Sequence, residues 1–146
     1  MTTSATTAPS VEWPKPITSY DVHIYWLPSS AKQRAEAMAL KEKAQQLFPH
    51  LYHGKMWDRP IGPHPYNMFE IDIHNAADFA TFVPWMALNH GSLSVLIHPQ
   101  TGNDVQDHTT HALWLGQPVP LDIGMLQEFD DRKKAAAAAV GEVKKE

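Results

Sequence analysis

The sequence predicts an α+β fold, an antiparallel sheet with two helices packed on one face, and three observations lead there. Short segments of alternating hydrophobicity and segments of helical period follow one another in the order β-α-β-β-α-β, with one more strand appended. The chain of 146 residues suits about one domain. Its 43% hydrophobic content is ordinary for a chain that buries a core. Together these features describe a ferredoxin-like plait (βαββαβ) with an additional C-terminal strand.

Each element has its own signal. SYDVHIYWL alternates, with Val22, Ile24 and Trp26 on one face and Asp21, His23 and Tyr25 on the other. Ser29 or Ser30 can cap the helix AKQRAEAMALKEKAQQLF, whose expected stripe is Ala35, Met38, Ala39, Glu42 and Gln46, and Pro49 stops it. LYHGKMW reads as a short strand, and the proline-rich DRPIGPHP connects it to NMFEIDI, which sets Phe69, Ile71 and Ile73 against Met68, Glu70 and Asp72. Asn75 caps a second helix, AADFATFVPWMALN, with Phe79, Phe82, Val83 and Met86 buried and Pro84 kinking or tightening its middle. SLSVLIH is the fourth strand, and HTTHALWLG returns beside it after the turn PQTGNDVQD, so that His108 begins the fifth strand. In that turn Gly102 supplies positive φ and Asn103 or Asp104 bonds the local backbone.

The ends differ from the body. Residues 1–16, rich in Thr, Ser and Pro, are expected to be a disordered N-terminal segment; 17–128 form the folded domain; 129–146 are a polar, Ala-rich tail, a frayed or solvated helix. No apolar run reaches the roughly 18–20 residues of a membrane span, and MTTSATTAPS lacks the features of a secretory signal, so the expected location is cytoplasmic with no membrane partner. A net charge of −4 and 12 Lys and Arg residues that form no large patch apart from the mixed tail give no footprint for nucleic acid. With no cysteine, any metal or acid–base chemistry falls to His, Asp and Glu, and there are nine histidines.

Strand parity sorts those histidines. If Val22, Ile24, Phe69, Ile71, Val95 and Ile97 face the helices, then His23, Glu70 and His98 share the opposite face, and the fifth strand would bring His108 beside His98. Three imidazoles and a carboxylate on rigid strands suit a divalent metal. Two histidines with a carboxylate favour non-haem iron(II), and three admit zinc or copper as readily. A hydrogen-bonded or exposed role suits each of these residues too, and it is the preferred reading for His50, His53, His74, His90 and His111. Trp85 and Trp114 suit a core or interface as well as a substrate platform.

YDVHIYW, GPHPYNMFEI, VPWMALNHGSLSVLIHPQTGND and DHTTHALWLG together resemble the DOPA 4,5-dioxygenase family, over about residues 19–122. The resemblance implies a ferredoxin-like domain and extradiol cleavage of a catechol such as L-DOPA with molecular oxygen at a non-haem metal, expected to be Fe(II), with Zn or another divalent metal also able to bind. The family's histidine motifs fall on His23, His64, His98 and His108. Many members have a second histidine two positions before His23, where this chain has Asp21. The implied roles are His23, His98 and His108 as ligands, Glu70 as a fourth or replacement ligand, and His64 as acid–base or substrate-orienting residue. His64 and His108 could exchange those roles. Tyr25 and Trp114 would wall the substrate ring. A cofactor-independent monooxygenase of the same fold and a noncatalytic small-molecule or metal-binding domain are the alternatives. A sheet face carrying Leu96, Ala112 and Trp114 is costly to leave in water, which predicts a homodimer.

Overall fold

The computed structural model describes residues 11–143, so most of the N-terminal segment expected to be disordered lies outside the described residues. Trp13, within that segment, packs its ring 5.5 Å from Tyr20 and 6.4 Å from Phe79. The elements are β1 (Ser19–Trp26), α1 (Ala31–Leu47), β2 (Tyr52–His53), β3 (Asn67–Ile73), α2 (Ala76–Asn89), β4 (Ser94–Gln100), α3 (Asp104–His108), β5 (Leu113–Leu115) and α4 (Ile123–Val143). The strands form one antiparallel sheet in the order β2-β3-β1-β4-β5, the plait order with β5 added at the β4 edge. No described helix is long and apolar enough to cross a membrane.

The alternating strands behave as their period requires. Val22, Ile24, Phe69, Ile71, Ile73, Val95 and Ile97 are fully buried against α1 and α2. Both helix starts are capped by the expected side chains: the Gln33 amide donates to Ser30 Oγ (3.1 Å) and the Asp78 amide to Asn75 Oδ1 (2.8 Å). Phe82 and Met86 bury the inner face of α2, with Phe79 and Val83 partly covered, and the helix continues through Pro84.

Three expectations need correction. The buried stripe of α1 is Ala37, Leu40 and Ala44, while Met38 stays 41% exposed and Ala35 and Ala39 face solvent. Alanines on every side of this helix leave its apolar period weak, and the larger Leu40 takes the inner position. His108 does not begin β5; it ends α3, a single helical turn started by Asn103, whose Oδ1 accepts the Gln106 amide at 3.0 Å. The tail helix starts earlier than expected, at Ile123, where the Asp122 carboxylate accepts the Met125 amide (3.1 Å).

The second sheet face is not bare. Tyr25, Met68, Leu96 and Val119 form a small buried cluster on it, flanked by Trp57, Ile61, Tyr66, Ala112 and Trp114. The chain's own connections therefore cover Leu96, which is fully buried without a second copy.

Candidate metal centre

The register of the sheet builds the site. His23 lies opposite Glu70 on β3 and Leu96 on β4, and Asp21 lies opposite Asp72 and His98. Residues two apart on a strand share a face, so Asp21, His23, Glu70 and His98 project together away from the helical core. His23 and His98 stack, with ring centroids 5.1 Å apart and planes 10° from parallel, and their Nε2 atoms are 3.1 Å apart. From α3, the His108 ring comes within 3.9 Å of the His98 ring. From the loop before β3, the His64 ring lies 4.2 Å from that of His23. Gly62, at φ 54°, makes the tight turn that brings His64 in, closed by two backbone hydrogen bonds in which the amides of Ile61 and His64 each donate to the other's carbonyl. All four imidazoles are buried.

The nitrogens are committed in a way that suits cation binding. His98 Nδ1–H donates to the Pro99 carbonyl (3.0 Å) and His108 Nδ1–H to the Asp104 carbonyl (2.7 Å). Each leaves Nε2 as the lone-pair nitrogen, the usual arrangement of a histidine that ligates metal. Ligand atoms of His23, His98 and His108 lie within 4.8 Å of one another. A proton shared by the Nε2 atoms of His23 and His98 would leave His23 Nδ1, which has no partner among the described residues, as a buried lone pair. A divalent cation would take the place of that shared proton, with the proton of His23 then on Nδ1. These three residues can hold a metal ion.

Proton affinities point the same way. Burial, then the neighbouring imidazoles of His64, His98 and His108, holds His23 well below the usual histidine range. Burial and the His108 and His98 rings bring His64 down to about 3. Burial and His98 bring His108 to about 4, against the opposing pull of its bond to the Asp104 carbonyl. Neutral imidazole is the form that binds metal.

Two carboxylates border the imidazoles, and Asp21, His23 and Glu70 form a second set with ligand atoms within 4.8 Å. Asp21 Oδ2 is 3.8 Å from His98 Nε2 and accepts a 2.6 Å bond from Gln100 Nε2. Glu70 is pushed up to about 9 by burial and then by Asp72 and Asp21, so without a cation it holds a proton at neutral pH. Charge of the opposite sign nearby would release it. Gln100 was not a sequence candidate, and Asp21 had no assigned role; the strand-one parity placed Asp21 on this face.

Tyr25 and Trp114, expected as substrate walls, lie against each other, with Tyr25 next to His64. The Tyr25 hydroxyl is 2.6 Å from His64 Nδ1, and Trp114 stacks behind Tyr25 at 6.0 Å. Neither lines the cavity of about 520 Å³ in front of His23 and His64. Its walls are Trp57, Ile61 and Met68, with Glu70 in its lining, and Lys55 places its ammonium 3.9 Å from the Trp57 ring centroid. Burial pushes the Tyr25 phenol up, so it stays protonated.

Of the five other histidines, His74 is exposed and four make hydrogen bonds. His50 meets Asp78 (2.8 Å), His53 donates to the Phe48 carbonyl (2.8 Å), His90 to that of Leu93 (2.8 Å), and His111 points to Asp107 (3.1 Å).

A profile of the Dopa 4,5-dioxygenase family matches residues 20–125, a span that contains every residue of this centre. The chain belongs to the Dopa 4,5-dioxygenase family. Among its relatives are an uncharacterised 21.2 kDa protein of Botryotinia fuckeliana, 36% identical over 80% of this chain and 68% of that protein, and the DOPA 4,5-dioxygenase of Amanita muscaria, 29% identical over 75% of this chain. The second match spans only 50% of the Amanita protein. A crystal structure from Nostoc punctiforme, described as a "putative dioxygenase", superposes with a TM-score of 0.71 at 34% identity, covering 77% of this chain and 94% of the other. Within the Dopa 4,5-dioxygenase family frame, the fold expected from the sequence stands.

Proposed function

We propose that the chain is an extradiol-type ring-opening dioxygenase that cleaves a catechol with molecular oxygen at a non-haem divalent metal held by His23, His98 and His108. One observation carries this: in a member of a dioxygenase family, three buried imidazoles bring ligand atoms within 4.8 Å of one another, two with their other nitrogen tied to a carbonyl. Iron(II), when bound, would supply the electronic path between catecholate and dioxygen that spin pairing denies the free molecules. Glu70 or Asp21 is placed to add a carboxylate to the ligand set.

The protein's own groups do the rest. His64 stands beside the ligands without being one, and Tyr25 bonds its Nδ1. With the phenol donating to Nδ1, His64 offers Nε2–H to the site as a proton donor. Because a hydroxyl both donates and accepts, Tyr25 also supports the opposite tautomer, in which Nε2 is a base able to take a catechol proton. An imidazolium is costly in this pocket until an anionic substrate offsets its charge, which delays that transfer until the ring is seated. Trp57 and Met68 offer the ring apolar walls, and Lys55 offers a cation to an acidic substituent.

The test is anaerobic loading with iron(II), then oxygen uptake and visible absorbance with a panel of catechols, wild type beside His98→Ala. Ring opening that consumes one O2 per catechol, lost in the variant, is the expected result. An iron-loaded wild type that consumes no oxygen with any catechol would sink the proposal.

A further inference from the structure

The C-terminal helix reaches both site histidines that the sheet does not supply. At its start, the Asp122 amide donates to the Pro63 carbonyl (2.9 Å), tying α4 to the residue before His64. Two turns on, Asp130 is buried at 6% exposure, and its two carboxylate oxygens accept the amides of Asp104 (2.7 Å) and Val105 (3.0 Å), the first residues of α3. Lys133 adds a 2.7 Å ion pair to the Asp104 carboxylate. Between these anchors Leu126 and Phe129 close the crevice shared by His23, His64, His98 and His108.

The consequence for His108 follows from the length of α3. A helix of one turn has almost no stability of its own, and its first amides have no partner within it. Asp130 supplies those partners from outside, and His108 ends the same turn, its Nδ1–H bonded to the carbonyl of Asp104, whose amide Asp130 holds. We propose that Asp130 is a positioning residue for the metal centre, acting through α3 to hold His108 Nε2 toward His23 and His98. The proposal rests on the metal-binding reading above.

Cobalt(II) titration followed by its d–d absorbance, with amide hydrogen exchange of Asp104 and Val105 in the metal-free protein, tests it. Asp130→Asn keeps the size and loses one acceptor; it should bind cobalt about 10–100-fold more weakly, the usual cost of an outer-shell partner, and exchange those amides faster. Glu128→Gln, on the exposed side of the same helix, should match wild type in both. Should Asp130→Asn fail to fold, Lys133→Met, at a half-exposed position, should still weaken cobalt binding by about two- to fivefold. Folded Asp130→Asn, or in its place Lys133→Met, binding cobalt as tightly as wild type overturns the positioning role. Wild type and Glu128→Gln both failing to bind cobalt overturns the metal site itself, and the inference with it.

Discussion

The two faces of one sheet are built on opposite terms. Toward α1 and α2, the strands present mainly apolar groups, and Phe69 and Ile71 are fully buried there with Phe82 and Met86 of α2. On the other face a smaller apolar cluster shares the sheet with four buried imidazoles and the carboxylates of Asp21 and Glu70. Burial on the first face is itself the driving force for folding. On the second, burial acts against charge: it keeps His23, His64 and His108 neutral and Glu70 protonated until a cation arrives. The helix face holds the strands in register, and the register brings the histidines together.

The widest separation of the two faces comes from His98→Ala. Metal affinity should fall by more than the roughly 100-fold that marks the upper end for lost outer-shell partners, read as cobalt or iron bound per folded protein. The thermal transition of the metal-free form should move little, because the variant removes one of several crowded imidazoles. A variant that retains full metal affinity would break the assignment of the histidine face.

His64→Gln sharpens the comparison within that face. If His64 moves protons and does not ligate, ring opening should slow by about 10²–10⁴-fold, the usual worth of a positioned acid or base, with metal affinity held near wild type. Loss of both together would place His64 among the ligands, in exchange with His108.

Phe82→Ala addresses the other face. A large cavity beside α2 should cost about 3–5 kcal/mol of stability in urea melts. Below the unfolding transition, metal affinity per folded molecule should be unchanged; a weakened site would mean that the two faces are not independent.

How far the sequence revealed each face follows the same division. Period-2 alternation in YDVHIYW and NMFEIDI fixes which residues enter the core, because one slip in register would expose a whole row of them. The same alternation puts His23, Glu70 and His98 on the second face. What covers that face was not legible. His108 was expected on a strand and sits on a one-turn helix, since DVQDH is too short to show a helical period. The boundary drawn at residue 128 cuts through α4, whose composition reads as solvated because two residues, Leu126 and Phe129, supply its contact with the site. Asp130 bonds residues 26 and 25 positions earlier in the chain, and nothing local announces such a cap. α1 failed for another reason: with alanine at positions 31, 35, 37, 39 and 44, two stripes compete and tertiary packing decides.

The gentlest way to separate the faces is pH. A histidine whose folded pKa is lowered takes up its proton in the unfolded chain near 6.5 and in the native protein only near 3 for His64 or 4 for His108. Between those values the unfolded state binds more protons, so each such group contributes stability that is complete above about pH 6.5 and lost as pH falls, at about 1.4 kcal/mol per pH unit. Glu70 works in the opposite sense. Its folded pKa of about 9 lies above the unfolded value, so its contribution grows as pH falls from 9 toward 4.5. The metal-free wild type therefore shows a partly cancelled profile, and the informative quantity is a difference. His64→Phe removes one lowered histidine and leaves Glu70 in place, so between pH 6 and 4.5 its stability should fall with acid less steeply than that of wild type by up to about 1.4 kcal/mol per pH unit. Phe82→Ala removes no titrating group, and its urea-melt profile should run parallel to that of wild type at lower stability. Parallel profiles for His64→Phe and wild type would mean that His64 is not held neutral by its burial, and the contrast between the faces would lose its electrostatic basis.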